Sequence, residues 1–212
     1  MPPMILDRID SPADLRDLTS AELTTLSAEI RDFIVEAVTA HGGGLDAVFT
    51  NAGGGEFATL EDVTVEHFLD TFNRNVAGTL FTVQKVLPLL NWGASVILSG
   101  STSASKGIPS FGVYAASKAA VRSFGRTWAA ELADREIRVN TLVPGPVHTP
   151  GLVGLAPSGG EQELLKSLTA DVTLGRIGQP EEIAAAVVFL ASPASSFMTG
   201  SEMFVDGGEV QT

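Results

Sequence analysis

Apolar residues recur along this chain in two alternating patterns, helix-like stretches and short unbroken runs. The first helix-like stretch spans about residues 20–40, where Leu23, Leu26 and Ile30 recur at near-helical spacing. Gly42-Gly43-Gly44 ends it, because glycine is favoured just past the last turn of a helix. The apolar run at 45–50 then predicts a short buried strand that stops at Asn51.

The same alternation continues toward the C-terminus. It predicts further strands at 95–99, 137–143 and 202–206, and helices at about 65–90, 112–134, 161–170 and 180–191. A loop rich in glycine and proline covers about residues 150–160. Strands that alternate with helices are typical of an α/β fold, in which helices cover both faces of a parallel sheet. The pattern therefore predicts one α/β domain over residues 1–212, built on a doubly wound parallel sheet.

Polar, glycine and proline residues follow three of the predicted strands. They are the segments Asn51–Gly55, Ser99–Ser103 and Pro144–Thr149. The carboxyl ends of parallel strands meet at one edge of a sheet, and ligands of open α/β sheets bind in the crevice there. We therefore expect these three segments to converge on one binding site.

The composition narrows the classes of function. The chain has 212 residues, a formal net charge of −12, no cysteine and three scattered histidines, at 41, 67 and 148. The negative charge disfavours nucleic acid and anionic membranes as partners, and the histidines lack metal-ligand spacing. No apolar run reaches the roughly 18 residues of a membrane span, and the N-terminus does not have the pattern of a secretion signal. These features favour a cytoplasmic location.

Tyr114 and Lys118 form a candidate acid–base pair. They lie four residues apart within the helix predicted at 112–134, and Ser101 lies thirteen residues before the tyrosine. Positions i and i+4 share one face of a helix. Because a nearby ammonium favours phenolate, we expect Lys118 to lower the pKa of Tyr114 from about 10. The spacing alone also fits an ordinary solvated helix face.

Motifs elsewhere in the chain favour the interpretation of Tyr114 and Lys118 as an acid–base pair over that of a solvated helix face. In order along the chain they are Asn51-Ala52-Gly53, Asn75-Val76-Ala77-Gly78, the triplet Ser101, Tyr114 and Lys118, Pro144 to Thr149, Gly175 to Ile183, and Thr199 to Gly208. Together they resemble the short-chain dehydrogenase/reductase family over about residues 45–210. The resemblance implies a Rossmann-like fold and hydride transfer between NAD or NADP and an alcohol or carbonyl substrate.

The resemblance also implies a role for each site residue. Tyr114 would be the acid or base, Lys118 would lower its pKa and bind the nicotinamide ribose, and Ser101 would hold the substrate oxygen. Asn75 would anchor a water that links the lysine to solvent. The implied cofactor-binding residues are Asn51, Ala52, Gly53, Ser99, Tyr114, Lys118, Pro144, Gly145, Val147 and Thr149.

Several of these residues also have a structural interpretation. Asn51 and Gly53 could be present only because they form the turn after the strand, since glycine tolerates strained backbone. Asn75 could bond a helix carbonyl, and Thr149 could cap a helix.

One departure from the family concerns the N-terminal segment. The family begins with a strand, a glycine-rich turn and a helix, whose N-terminus holds the pyrophosphate. Before Gly42 this sequence has no glycine, so residues 1–44 are interpreted as a divergent segment and the domain as truncated there. Gly42–Gly44 follows a helix, whose C-terminal carbonyls have the wrong sign for phosphate, and Gly53–Gly55 is a weak substitute. The alternative function is a non-catalytic module that has lost dinucleotide binding, and the choice between NAD and NADP is not readable.

The same departure predicts an exposed strand edge. Without the family's first strand, the strand at 45–50 would have unpaired backbone groups on one side. We expect residues 4–7 to pair with this edge or lie against it.

The resemblance further implies a homodimer or homotetramer through the helices at 65–90 and 112–134 and the last strand. The substrate is not readable, although Phe111, Leu152, Val153 and Leu155 suggest an apolar pocket wall.

Overall fold

A computed structural model describes residues 4–9, 14 and 18–211 of the chain. The helices are α1 (Ser20–His41), α2 (Val65–Phe72), α3 (Gly78–Val86), α4 (Gly112–Glu131), α5 (Pro150–Val153), α6 (Glu161–Ala170) and α7 (Pro180–Ala191). The strands are β1 (Leu45–Thr50), β2 (Leu90–Ser99), β3 (Arg138–Pro144) and β4 (Glu202–Val205). The predicted helices and strands follow one another in the expected order. Two details differ, since β2 begins earlier than expected and α5 lies within the segment predicted as a loop at about 150–160.

The four strands form one parallel sheet in the order β1-β2-β3-β4. β2 and β3 align Val96 with Val139, while the register between β1 and β2 shifts between Leu45 and Ala47. The strands follow one another in space as they do in sequence, with helices on both faces. This arrangement is the predicted Rossmann-like α/β fold.

The hydrophobic core lies on both faces of β2 and β3. The apolar residues of these two strands that are 0% exposed are Val96, Ile97, Leu98, Val139 and Leu142. On one face, Val96, Leu98 and Val139 pack with Val83 of α3 and Val121 of α4. On the other face, Ile97 and Leu142 pack with Ala186 and Leu190 of α7. Burial on both sides explains why these strands have unbroken apolar sequences.

The helix predicted over residues 65–90 is interrupted. α2 passes into a π-helical turn at Asn73–Ala77, α3 follows, and a 3-10 turn at Leu87–Leu89 ends the stretch. A single continuous helix was therefore the wrong prediction. The π turn contains the buried Asn75, whose side-chain bonds hold two other segments, and such turns are frequent at functional sites.

Helix α1 begins and ends as the sequence predicts. Thr19 and Glu22 form a reciprocal capping box at its start, and Gly42, with φ of 76°, ends it in the left-handed conformation. Its solvent side includes apolar residues, and Phe33 is 57% exposed. Within the described residues, no helix is long and apolar enough to cross a membrane.

The prediction that residues 4–7 pair with β1 is wrong. Leu6–Arg8 forms a single 3-10 turn, in which the Arg8 amide donates to the Ile5 carbonyl at 3.0 Å. The Leu6 amide donates to the Glu29 carboxylate of α1 at 2.8 Å. Because these backbone donors are satisfied by the turn and by α1, they do not extend the sheet. In the described part of the chain, β2 is the strand that pairs with β1, which therefore lies at the edge.

Candidate active site

The three segments singled out in the sequence lie at one edge of the sheet. Each follows the carboxyl end of β1, β2 or β3, which are neighbours and parallel. The Gly100 amide donates to the Leu142 carbonyl of β3 at 2.7 Å. A Cβ atom at Gly100 would lie 2.8 Å from the Thr141 methyl carbon, so only glycine fits this close approach. The loop that carries Ser101 therefore starts from a fixed point on β3.

Tyr114 lies in the first turn of α4, and its phenol interacts with the Ser101 side chain. Burial of the phenol is the largest influence on its pKa and raises it above the ordinary value, while the hydrogen bond with Ser101 lowers it. Tyr114 is therefore a neutral phenol at neutral pH. In that state it has a proton to donate.

Lys118 lies one helical turn after Tyr114 and is 5% exposed. Its Nζ atom is 5.7 Å from the centroid of the Tyr114 ring and donates to the Ser99 carbonyl at 2.9 Å. Burial lowers the pKa of Lys118 to about 8, because a charged ammonium loses hydration inside the protein. The side chain is still mostly protonated at pH 7.

The expectation that Lys118 lowers the pKa of Tyr114 is wrong for this structure. The pKa of Tyr114 is raised, and the influence that lowers it comes from Ser101. The physical reason is that burial outweighs the favourable contacts, since removing a phenolate from water is costly. The Lys118 ammonium lies toward the tyrosine ring and bonds Ser99.

Ser101 is held by a second serine that sequence reasoning missed. The Ser101 hydroxyl donates to the Ser103 hydroxyl at 3.1 Å and accepts from the Ser103 amide at 3.2 Å. Ser103 lies in a 3-10 turn at Thr102–Ala104 and is buried. The sequence Ser101-Thr102-Ser103 carries a signal for this contact, because serine side chains often bond the backbone two residues ahead.

Asn75 joins the loop after β1 to helix α4. Its side-chain oxygen accepts from the Gly54 amide at 3.0 Å, and its nitrogen donates to the Gly54 carbonyl at 2.9 Å. The same nitrogen donates to the Ser117 hydroxyl at 2.8 Å, and Ser117 donates to the Tyr114 carbonyl at 2.7 Å. The amide therefore joins the loop after β1 to α4 through direct bonds, and the water anchor implied by the family resemblance stays a prediction.

The glycines at 53–55 lie against the candidate catalytic residues. A Cβ atom at Gly53 would lie 2.8 Å from the Asn75 side-chain oxygen and 3.4 Å from the Lys118 Nζ atom. A Cβ atom at Gly55 would lie 2.5 Å from a ring carbon of Tyr114. These glycines thus permit close packing on the site. The segment Asn51–Gly55 was expected there, but Gly55 was not among the individual candidate residues. The run of three glycines was its sequence signal.

The rings of two phenylalanines lie in a row with the ring of Tyr114. The ring centroids of Tyr114 and Phe111 are 4.5 Å apart, and those of Phe111 and Phe57 are 4.7 Å apart. Phe111 is buried and Phe57 is exposed. The sequence suggested Phe111 as part of an apolar wall, and it missed Phe57. An aromatic row therefore extends from Tyr114 toward solvent.

The other predicted cofactor residues lie around this edge. Asn51, Ala52 and Gly53 are exposed after β1. Gly145 approaches the β4 end, where its amide donates to the Val205 carbonyl at 3.1 Å, and Val147 forms a bridge with Gly178. Thr149 caps α5, since its hydroxyl accepts from the Leu152 amide at 3.2 Å. Pro144 ends β3 and Ser99 ends β2.

Lys118, Tyr114 and Gly53 fit the half of a nicotinamide dinucleotide that carries the nicotinamide and its ribose. The Lys118 ammonium has three donors, and the described residues supply Ser99 as the acceptor of one of them. Gly53 leaves open the space beside that ammonium that a side chain would fill. Lys118 and Tyr114 thus suit a hydroxyl-rich ribose. For the pyrophosphate half, the described segment before β1 provides only the C-terminal end of α1, with Gly42 at its cap.

Comparisons with known proteins agree with this geometry. The family model described as enoyl-(acyl carrier protein) reductase matches residues 25–209. The oxidoreductase asL5 of Sarocladium schorii is 44% identical over 182 residues, which cover 85% of this chain and 72% of that protein. The hydroxynaphthalene reductase-like protein Arp2 of Metarhizium brunneum is 34% identical over 215 residues, which cover 97% of this chain and 80% of that protein.

A solved structure extends the likeness to three dimensions. A short chain dehydrogenase family protein from Francisella tularensis superimposes with a TM-score of 0.78 at 30% identity, covering 86% of this chain and 78% of that one. With the family match, the relatives and the arrangement around Tyr114 in agreement, the chain belongs to the short-chain dehydrogenase/reductase family.

Proposed function

We propose that this protein is an NAD- or NADP-dependent oxidoreductase in which Tyr114 is the acid or base for an alcohol or carbonyl substrate. The observation that carries the proposal is the cluster in which Ser101 acts on the pKa of the Tyr114 phenol and the Lys118 ammonium lies 5.7 Å from the centroid of the tyrosine ring. This arrangement lies at the sheet edge where ligands of α/β folds bind. Family membership supports the same class of reaction.

Each residue has a defined task in the reduction of a carbonyl. The bound nicotinamide supplies the hydride to the carbonyl carbon. Tyr114 donates its phenolic proton to the carbonyl oxygen, and its raised pKa keeps that proton in place at neutral pH. Ser101 holds the same oxygen through its hydroxyl. Lys118 binds the ribose, and Ser101 is the side chain that stabilises the phenolate that remains.

Asn75 and the cofactor residues complete the proposed site. Asn75 keeps Gly54 and Ser117 in place and so positions Tyr114 relative to the loop after β1. The proposed cofactor contacts are Asn51, Ala52, Gly53, Ser99, Pro144, Gly145, Val147 and Thr149, with Tyr114 and Lys118. We also propose assembly as a homodimer or homotetramer through α2 to α4 and β4.

The names of related proteins point to two classes of carbonyl substrate. The matching family model is described by an acyl carrier protein substrate. One relative is named for hydroxynaphthalene, an aromatic compound. Both classes present a carbonyl or unsaturated group that nicotinamide reduces, so both are compatible with the proposed roles of Tyr114 and Ser101.

A second candidate function is a folded module that does not bind a dinucleotide. The observation in its favour is that the described segment before β1 presents a helix C-terminus and no glycine-rich turn. Carbonyl groups at that end carry negative partial charge and repel phosphate. In this case the Tyr114 arrangement would be retained only as part of the packing.

A cofactor titration separates the two candidates. The purified chain is titrated with NADH and with NADPH while nicotinamide fluorescence is followed, and oxidation of the bound form by a ketone is then measured at 340 nm. We expect one cofactor to bind at micromolar concentration and to be oxidised when ketone is added. Failure of both cofactors to bind at millimolar concentration would support the non-binding module and reject the oxidoreductase.

A further inference from the structure

We infer that Lys106 is a positioning residue of the proposed reaction, because its ammonium ties the loop that carries Ser101 to the segment 150–171 that follows β3. This inference rests on the proposed function, since it adds a residue to the same site. We call the two ion pairs that Lys106 makes, with Asp171 and with Glu209, the Lys106 tether. Three features support it, namely the burial of Glu209, the shallow packing of segment 150–171 and the charge at the end of α6.

The Lys106 tether joins three segments of the chain. Lys106 lies in the loop between β2 and α4, on the C-terminal side of Ser101. Its Nζ atom is 2.9 Å from a carboxylate oxygen of Asp171, which follows α6, and 2.8 Å from one of Glu209, which follows β4. One ammonium therefore connects the segments that come after β2, β3 and β4.

The Glu209 arm of the tether is buried. The Glu209 side chain is 3% exposed, and its Oε2 atom accepts no hydrogen bond from any described residue. Among those residues, Lys106 is thus the cation that compensates this carboxylate. Burial lowers the pKa of Lys106, but the hydrogen bonds with Glu209 and Asp171 raise it by more, so that the pKa lies above its ordinary value. The ammonium therefore stays charged at neutral pH.

Segment 150–171 has little anchoring apart from its two ends. It leaves the sheet edge at Thr149, whose hydroxyl caps α5, and it returns at Asp171, next to the buried Val172. Both α5 and α6 are fully described, and none of their residues is buried. Parts of a protein with few buried contacts open more easily than the core. Contacts at the ends should therefore decide where this segment lies.

Lys106 also supplies a positive charge that α6 lacks at its C-terminus. The described last turn of α6 contains no basic residue, and Asp171 follows it as the C-cap. A carboxylate is unfavourable at a helix C-terminus and a cation is favourable there. Asp171 is 61% exposed in its side chain, so its ion pair alone would be weak. Glu209 strengthens the pair, because it already holds the Lys106 ammonium in place.

The tether should affect substrate binding more than the reacting groups. Gly100 fixes the start of the Ser101 loop on β3, and Tyr114 lies on α4, which packs on the core. These groups therefore keep their places without Lys106. Segment 150–171 carries the apolar wall expected from the sequence, and its half-buried members are Leu152, Val153 and Leu155. Loss of the tether should thus raise KM and leave kcat nearly unchanged.

A double variant separates position from stability. Lys106→Met alone leaves the buried Glu209 carboxylate unpaired, which is costly, and should lower the midpoint of thermal unfolding by about 8 °C. Lys106→Met/Glu209→Gln removes both charges and should return the midpoint to within about 3 °C of the wild type. This double variant folds normally but lacks the tether, so it is the variant used in the two tests.

Hydrogen exchange of the full chain without cofactor tests the tether independently of turnover. In the double variant, the amides of α6 should exchange about fivefold faster than in the wild type, while those of β3 keep their rate. Lys106→Arg retains a cation and should exchange like the wild type. The matched control is Lys166→Met, which removes an exposed lysine on α6 itself and should also leave the exchange unchanged.

Reduction of ethyl acetoacetate with the preferred nicotinamide cofactor tests the positioning role. In the double variant, KM for the ketone should rise about tenfold while kcat stays within about threefold of the wild type. Lys106→Arg and Lys166→Met should keep both constants within about threefold. A residue that served stability alone would leave KM unchanged once the thermal midpoint was restored.

The inference is overturned if the double variant keeps the wild-type KM, if kcat falls as much as KM rises, or if α6 exchanges at its wild-type rate. Failure of the proposed function looks different, since the wild type itself would then oxidise neither NADH nor NADPH. That result would also reject the kinetic role of Lys106, while the exchange of α6 would still decide whether the tether holds segment 150–171.

Discussion

The central strands of the sheet and its β1 edge differ in how completely the protein covers them. We call β2 and β3 with the helices that pack on them the covered side, and β1 with α1 the exposed side. β2 and β3 lie between two layers of helices, and their central side chains are 0% exposed. β1 lies at the edge with Asp46 and Ala47 exposed. α1, which precedes it, exposes apolar residues such as Phe33 and Ile34. The candidate catalytic residues belong to the covered side, so their positions depend on the most deeply buried part of the fold.

Most of the site is built on the covered strands, although the described residues leave the outer edge of β1 unpaired. Ser101 follows β2, and Tyr114 and Lys118 lie on α4, which packs on β2 and β3. The loop after β1 is the one part of the site that comes from the exposed side. Asn75 and the ring of Tyr114 hold it through Gly54 and Gly55. Disturbing the covered side, the exposed side or this junction should therefore have distinct effects.

The largest effect should come from the core of the covered side. Leu142→Ala removes a leucine that is 0% exposed between β3 and α7 and should lower the free energy of unfolding by about 4 kcal/mol. Ile34→Ala on the exposed face of α1 is the matched control and should change it by less than about 1 kcal/mol. Urea unfolding followed by circular dichroism measures both. Equal losses would mean that the two sides do not differ as described.

A pH-dependent effect is expected at Lys118. Its pKa is about 8 in the folded chain and 10.5 ordinarily, so between these values the unfolded chain holds a proton that the folded chain has released. The free energy of unfolding therefore rises with pH across this window, by about 3 kcal/mol in total, and below pH 8 the full penalty of the buried charge applies. Lys118→Met should lack this rise.

The free energies of unfolding of the wild type and of Lys118→Met, measured from pH 7 to pH 10, test this effect. The control is Lys166→Met, which replaces an exposed lysine on α6 and should give a curve parallel to the wild type. If the free energy of unfolding changed with pH in the same way in the wild type and in Lys118→Met, burial would not depress the pKa of Lys118.

The junction between the two sides is tested at Gly55. Gly55→Ala places a methyl group about 2.5 Å from the Tyr114 ring, so the loop or the ring must move. Such overpacking costs roughly 1–3 kcal/mol, and displacement of the catalytic group should lower kcat about tenfold or more. Gly107→Ala, where a methyl group meets no atom within 4 Å, should retain the wild-type rate. Retention of the rate by Gly55→Ala would show that the contact does not position Tyr114.

The smallest effect should come from the exposed side. Thr19→Ala removes the capping box at the start of α1, and the amides of α1 should exchange with deuterium about fivefold faster. The amides of β3 should exchange at their wild-type rate, because the core around them is unchanged. Faster exchange throughout β3 would indicate that the two sides unfold together.

The sequence predicted the covered side better than the exposed side, for physical reasons. Unbroken apolar runs identify strands that are buried on both faces, and the motif spacing located Ser101, Tyr114 and Lys118 correctly at the sheet edge. Residues 4–7 were misjudged, because four residues carry no periodicity and their backbone found a partner in Glu29. Contacts such as Gly55 on Tyr114 and the stacking of Phe57 on Phe111 depend on loop paths that the sequence does not specify.

The raised pKa of Tyr114 could not be predicted from spacing either. The i and i+4 positions place Lys118 near the ring, but the balance of burial against that cation depends on how the surrounding loops cover the phenol. The neutral phenol that results is the state needed to donate a proton. The central claim is therefore that this buried hydroxyl is the proton donor for reduction.

Substitution of Tyr114 by phenylalanine tests this claim most directly. The variant is compared with the wild type in ketone reduction at pH 7 and in binding of the preferred nicotinamide cofactor. Tyr114→Phe keeps the ring contacts with Phe111 and Gly55 and removes only the hydroxyl. The account predicts that kcat falls by roughly 10²–10⁴-fold while cofactor affinity stays within about threefold. A variant that reduces ketone at a rate within about tenfold of the wild type would contradict it.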